Sequence, residues 1–399
     1  MNMKKLAFFT VLDITYLGGK EKNLIEVAKL LRPYFNITIF SPGDNEPQKI
    51  RKSKEIERDT NASVRPYHLF EPFRLYGIFT IPTRSAIMAI SALKNYDLVY
   101  LSDPINLMSL LVILYSNIIK KPLIFSIQSP LLLRDAPIKN TLLRRWIMWV
   151  YKPLRNALVL SCPIIHVVNR DDLIKLKRLH YKGKIHLIPN LIPSYIKKED
   201  IGVNEKKFTI IFSGRFDIEQ KGVDLLKEIA EGTIKRNSNI HFHLAGHNGN
   251  GTHIVKALAN KYPKNVQLSG FLSSRKLKKA YKNADMVVST SRYESCSISL
   301  IEAQALGCPA VAFQAKGQDT VITKATQGKL IKPYQTNEFI DAINYYYKKW
   351  ATDKKSYRRL KKQISNIAID KFSTNITITR VKRMFDLSMR HLNEKLKAE

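Results

Sequence analysis

Ser289-Thr-Ser-Arg-Tyr-Glu294-Ser-Cys-Ser-Ile-Ser-Leu-Ile-Glu302-Ala-Gln-Ala-Leu-Gly307 is the stretch from which the fold is read. The apolar run that enters it, Met286 to Val288, predicts a buried strand. The polar loop that follows gives way to helical periodicity, which stops before Gly307, a helix cap. Two carboxylates stand eight residues apart, Glu294 in the loop and Glu302 inside the helix. Between them Ser295, Cys296, Ser297 and Ile298 are small or compact and bring backbone N–H groups to the helix N-terminus. Such a terminus carries partial positive charge and unpaired donors, which suit a phosphate. Acceptors on either side of a phosphate cradle suit a diphosphate with hydroxyls at both ends, which is the shape of a nucleotide sugar. A plainer reading stands beside this one: Ser299-x-x-Glu302 fits a capping box, and Glu294 fits a solvated loop charge.

A second stretch has the same design. Thr209-Ile-Ile-Phe-Ser-Gly-Arg215-Phe-Asp-Ile-Glu-Gln-Lys221-Gly222 is a buried strand emptying into a loop with an arginine and, six residues on, a lysine before a helix. Arginine offers a fixed fork to phosphate oxygens and lysine a point charge. Gly18-Gly19, in the loop expected over 15–20 after the first strand, allows close backbone approach to a ligand, and is equally an ordinary loop.

Outward from these loops, apolar runs alternate with helical patterns along the whole chain. Strands are expected over 5–11, 37–40, 96–101, 123–127, 164–168 and 185–188, then over 208–212, 240–245, 266–269, 286–289 and 309–313. Residues 44–65 are polar and read as a long surface loop or a weak helix. Residues 353–396 read as a basic helical tail. The alternation predicts parallel sheets flanked by helices. Ile188-Pro-Asn190-Leu-Ile-Pro193 punctuates it at a domain boundary, so the expectation is α/β, two doubly wound domains with a cleft between them.

Length and composition agree: 399 residues suffice for two cores, and 45% hydrophobic content is that of a globular chain. Cys162, Cys296 and Cys308 are scattered, without metal-binding or disulfide-framework spacing. His241 and His243 share one side of a strand, with His247 and His253 nearby, but no carboxylate or cysteine completes a metal set. No Asp-x-Asp pair exists to hold a diphosphate through a divalent cation, so positive side chains and helix dipoles are expected to do so. No apolar stretch reaches the roughly 20 residues of a spanning helix, and the apolar start is too short for a signal peptide.

The formal net charge of +33 asks for an acidic partner. The excess is spread, with +15 in residues 1–200 and +18 beyond, but residues 136–170 hold six Lys/Arg and no acid. There a helix expected over 139–156 sets Trp146, Trp149 and Val150 on one face, flanked by Arg144, Arg145 and Lys152. That is the composition of an interfacial helix on anionic lipid, or of a helix packed on the sheet with a solvated basic edge.

Together these stretches make the chain resemble the retaining glycosyltransferases of family 4 (glycosyl transferases group 1), which have the GT-B fold. The likeness is carried by Ser213-Gly-Arg215 to Lys221-Gly222, Gly270-Phe271 to Ala284-Asp285, Glu294-x7-Glu302 with Ala303 and Leu306-Gly-Cys-Pro309, and Asn190 at the junction. The resemblance implies an acceptor-side Rossmann-like domain over 1–190, a nucleotide-sugar domain over 195–372, and a C-terminal helix, 373–399, returning to the first. It implies that Arg215 and Lys221 hold the diphosphate and that Glu294 binds hydroxyls of the transferred sugar. Backbone N–H groups of Ser297 and Ile298 would meet sugar or phosphate, and Glu302 the ribose. Gly246, Phe271 and Leu272 would lie near the base, and Gly18 and Gly19 near the reaction centre. Gln128 stands where many relatives carry a histidine; it can hydrogen-bond a hydroxyl but cannot become an imidazolium. Ser295 and Ser297 replace the glycines common in that loop.

The expected activity is retaining, metal-independent hexose transfer from a nucleoside diphosphate sugar, without a cofactor. The acceptor is expected to be lipid-linked, a glycolipid or a polysaccharide, met at the cytoplasmic membrane face. An epimerase or phosphorylase on the same fold is the alternative. A nucleic-acid binder is the distant one, since the aromatics sit mostly in apolar strands rather than on a basic platform.

Overall fold

A computed structural model describes residues 3–16, 18–43, 46–70, 81–102, 106–128, 142–197, 201, 203 and 206–398, without the side chains of 142–148, 150–152 and 390–398. The chain divides into two compact units, Met1–Pro189 with Thr377–Glu399, and Asn190–Ile376.

The first unit comprises β1 (Lys4–Thr10), α1 (Gly19–Leu31), β2 (Phe35–Pro42), α2 (Pro47–Thr60), β3 (Ser63–Tyr67), the short pair β4 (Leu69–Phe70) and β5 (Ile81–Pro82), α3 (Arg84–Ser91), β6 (Leu98–Ser102), α4 (Leu107–Ile118), β7 (Leu123–Ile127), α5 (Leu142–Ser161), β8 (Ile164–Val167), α6 (Arg170–Arg178) and β9 (Lys184–Leu187). Seven strands form one parallel sheet in the order β3-β2-β1-β6-β7-β8-β9. β6 and β7 are buried throughout because helices cover both faces, which is why they read as unbroken apolar runs. Residues 44–65 are not a long loop. Within them stands α2, started by Pro47 at its first turn and ended by Asn61 in the left-handed region, and β3 follows. Gly19 is the first residue of α1 rather than a loop residue, with Gly18 as its N-cap.

The second unit comprises β10 (Phe208–Ser213), α7 (Val223–Arg236), β11 (Ile240–Ala245), α8 (Thr252–Lys261), β12 (Val266–Gly270), α9 (Ser274–Asn283), β13 (Met286–Ser289), α10 (Ile298–Ala305), β14 (Ala310–Phe313), α11 (Gln318–Val321), β15 (Gly328–Ile331), α12 (Thr336–Thr352) and α13 (Lys354–Phe372). Its parallel sheet runs β12-β11-β10-β13-β14-β15. Both units are Rossmann-like, and in the second the strand order reverses between β10 and β13. That switch point is where open α/β sheets take ligands, outside the carboxyl ends of the strands.

The last helix, α14 (Thr374–Ala398), crosses from the second unit's segment into the first's. There Phe385 is fully buried, its ring 5.8 Å from Tyr100 and nearly parallel to it, and 5.7 Å from Phe35.

Candidate active site

At the switch point two loops leave neighbouring strands, 214–222 after β10 and 290–297 after β13. Their backbones are joined: Arg292 N donates to Gln220 O at 2.8 Å, and Thr290 Oγ1 donates to Lys221 O at 2.8 Å. Gly222, at φ +62°, is the N-cap of α7; a Cβ there would stand 2.3 Å from Thr290 O. Only glycine combines that backbone with that approach.

The joined loops bring Lys221 and Glu294 together. Lys221 Nζ pairs directly with Glu294 Oε1, both side chains largely withdrawn from solvent. Ser291 Oγ donates to the same oxygen at 2.9 Å. Arg215 is 55% exposed at its side chain, reaching Gln220 Oε1 at 3.3 Å and Asp217 at 3.7 Å. It is a cation held at the rim by weak contacts, able to turn toward an anion.

Glu302 is buried in α10 and accepts a hydrogen bond from the Tyr195 hydroxyl. The capping-box alternative is overturned. The N-cap is Ser297, no side chain caps the helix, and Glu302 bonds elsewhere; Ser297 Oγ lies 3.0 Å from Ser299 Oγ. Ser297 and Ile298 are buried at the start of α10, as the sequence places them. Beside Glu302, Tyr281 is fully buried; that burial, with the Glu302 charge adding to it, holds its hydroxyl well above the usual phenol range. Gly307 follows the helix at φ +86°. Asn190 Nδ2 donates to Cys296 O at 2.7 Å and fixes the 294–297 loop from beneath.

Across the sheet edge, Gly246 N donates to Gly270 O at 2.7 Å. A Cβ on Gly246 would fall 1.6 Å from Gly214 O, so the two strand-end loops touch only because that position has none. Phe271 is exposed, with its ring 4.1 Å from His247, and Leu272 beside it is half-buried. This is an open apolar shelf, a surface on which a planar ring can lie. His241 bonds Lys264 O and His243 bonds Ser269 Oγ, and among the described residues no group of three or more His, Cys, Asp or Glu could hold a metal.

Arg292 and Tyr195 escaped the sequence reading. Arg292 forms a two-pronged pair with Asp224 of α7, at 2.9 and 2.6 Å, and also donates to Ile218 O. Burial alone pushes the Asp224 carboxyl up, but the Arg292 hydrogen bonds and charge outweigh it and hold the group below its ordinary value. Nothing short of the fold pairs residues 68 positions apart.

In the first unit Gln128 follows β7, buried, with Nε2 donating to Ser126 Oγ at 3.1 Å. Ser126 Oγ lies 3.0 Å, and the Tyr100 hydroxyl 2.9 Å, from His166 Nδ1, while His166 Nε2 donates to Ile188 O at 2.8 Å. Burial lowers the His166 imidazole to about 4, against the opposing pull of the Ile188 bond, so the ring is neutral at pH 7. Gly18 has an ordinary φ of −67°.

Residues 195–366 match the family described as "Glycosyl transferases group 1" and form such a domain. The poly(ribitol-phosphate) alpha-N-acetylglucosaminyltransferase of Staphylococcus aureus (strain COL) is 34% identical over 128 residues, 32% of this chain and 26% of that protein. The alpha-D-kanosaminyltransferase of Streptomyces kanamyceticus is 25% identical over 248 residues, 58% and 62% of the two chains. The matched stretches thus span about a quarter and three-fifths of these relatives. Among solved structures, Anabaena HepE in complex with UDP superposes with a TM-score of 0.69 at 16% identity, covering 96% of this chain and 99% of that one. A Staphylococcus aureus TarM variant in complex with UDP gives 0.69 at 15%, with the same coverage. The fold is that of GT-B glycosyltransferase structures.

Proposed function

We propose that this chain, whose second unit carries a glycosyl transferases group 1 domain, is a retaining glycosyltransferase. It moves a hexose from a nucleoside diphosphate sugar to a lipid-linked, glycolipid or polysaccharide acceptor at the cytoplasmic membrane face. The observation that carries the reading is the pairing of Lys221 with Glu294 where the β10 and β13 loops meet, eight residues before the buried Glu302. A cation and two carboxylates so spaced match a pyrophosphate with hydroxyls on both sides. The relatives support it: one is named for transfer of N-acetylglucosamine, and HepE and TarM were solved with UDP.

In this reading Lys221 and Arg215 neutralise charge growing on the departing diphosphate, aided by the N-terminus of α10 at Ser297 and Ile298. Glu294 gives up part of its contact with Lys221 to accept from sugar hydroxyls. Glu302 takes the ribose hydroxyls, and the base lies by Gly246, Phe271 and Leu272. Gln128, Gly18 and Gly19 meet the sugar or the acceptor. α5 contacts anionic lipid; residues 139–141 of the helix expected over 139–156 lie outside the described residues. No step uses a metal. The epimerase, phosphorylase and nucleic-acid readings find no support among the relatives.

The test is a panel of nucleotide sugars offered with a membrane extract, products read by mass spectrometry and anomeric NMR. Wild type is expected to transfer one sugar with its anomeric configuration kept, undiminished by EDTA. Arg215→Ala and Lys221→Ala are expected to be slower by about 10²–10³-fold. If no nucleotide sugar binds or turns over, the reading fails; an inverted product removes its retaining part.

A further inference from the structure

Helices α3, α4 and α5 lie side by side in the first unit and share one apolar core, to which Ala86, Ile90, Val112, Ile113 and Val159 belong. The Tyr115 hydroxyl of α4 donates to Ser91 O at the end of α3, and Asn117 Nδ2 donates to Ser161 Oγ of α5 at 2.9 Å. The β4–β5 strand pair adjoins α3, where Thr83 Oγ1 donates to His68 O at 2.6 Å. The outward side of this layer carries large apolar side chains. Trp149 is 75% exposed, Ile118 68% and Met88 64%, with Ile87, Leu154 and Phe70 also exposed. Of the 17 large apolar side chains exposed among the described residues, eight lie on these four neighbouring elements. Single exposed apolar residues are ordinary, but a contiguous group of them marks a surface that something covers.

Charge identifies the cover. Exposed Arg84 opens α3, exposed Lys94 and Lys120 lie in the turns that follow α3 and α4, and the sequence of α5 has no acid and four Lys/Arg, of which Arg155 is buried. Among described residues 81–128 the one acid is Asp97, whose carboxylate accepts from Lys5 N. A second copy would bring the same cations against themselves. An anionic bilayer instead offers acyl chains to the apolar side chains, a headgroup boundary to Trp149 and phosphates to the cations.

We propose that the composite face of α3, α4, α5 and the β4–β5 strand pair, rather than α5 alone, seats the chain on an anionic phospholipid surface. It lies on that surface; no helix among the described residues is long and apolar enough to cross a membrane. This rests on the membrane part of the reading above, and its test does not depend on turnover.

The test is co-sedimentation of the full chain with vesicles of phosphatidylglycerol or phosphatidylcholine. Wild type is expected on the anionic vesicles only, and several-fold less at roughly 0.5 M salt. Met88→Ser/Ile118→Ser, which leaves α5 untouched, is expected to weaken binding about tenfold with an unchanged thermal midpoint. Lys355→Glu/Arg359→Glu, on exposed positions of α13, is expected to leave it within about twofold. Three results overturn the proposal: no preference of wild type for anionic vesicles, wild-type binding by the Met88/Ile118 variant, or an equal loss in the α13 variant, which makes net charge the cause. A dimer that only the Met88/Ile118 variant dissolves also overturns it, in favour of a second copy. Nucleotide-sugar turnover in detergent is measured in parallel. Loss of vesicle binding with turnover intact bears on this face alone, and vesicle binding without turnover in wild type sinks only the proposed reaction.

Discussion

Gly246 and Gly214 meet where no side chain fits, and a methyl at 246 forces two strand ends apart. Gly246→Ala is expected to lower stability by about 1–3 kcal/mol and to weaken nucleotide-sugar binding. Chemical denaturation and calorimetry check both, and an unperturbed variant contradicts the close approach. Lys221→Met leaves the Glu294 carboxylate withdrawn from solvent without its cation, an expected loss of about 3 kcal/mol, whereas Lys221→Met/Glu294→Gln recovers most of it without recovering turnover. His166 carries a pH signature. Folded, it titrates near 4; unfolded, near 6.5. Between those values the unfolded chain binds the extra proton. The stability is therefore whole above about 6.5 and drains away as pH falls toward 4, by about 2 kcal/mol from pH 7 to 5. His166→Asn is expected to flatten that part of the slope in urea unfolding curves taken at the two pH values.

Loops and elements depend on pairings the chain does not advertise. Arg292 ties the β13 loop to α7 through Asp224 and to the β10 loop through Ile218 O. Arg292→Ala is expected to cost about 1–2 kcal/mol and to weaken donor binding by loosening the loop that carries Arg215 and Lys221. Arg292→Lys is expected to recover little, because an ammonium cannot span both carboxylate oxygens. Binding measured by calorimetry beside stability separates the two effects. The sequence showed the central strands because burial on both faces leaves them apolar without a break. β3 escaped because it is an edge strand with most residues exposed and Pro66 within it, and β15 because it is an edge strand of the second sheet, opened by Gly328 with Lys329 outward. α2, polar almost throughout, left loop and helix equally open. The glutamates, Arg215 and Lys221 were legible because strand, loop and helix follow one another locally. Tyr195, which bonds Glu302 from 107 residues away, was not.

At the scale of the whole molecule, the charge of +33 and the exposed layer of α3 to α5 belong to one argument, since a basic chain with an apolar face suits an acidic surface. The two units also differ in construction. Residues 190–376 are continuous, while the first unit needs residues beyond 376 to cover Tyr100 and Phe35. Phe385→Ala is expected to destabilise the first unit by about 3–5 kcal/mol and leave the second unit's transition in place, so denaturation followed by two local probes should split. During synthesis on the ribosome, residues 1–189 must wait, with an aromatic surface bare, until residues 190–376 have been made and α14 emerges. A chain cut short within α14 is therefore expected to lose the packing around Tyr100 and Phe35 while residues 190–376 keep theirs.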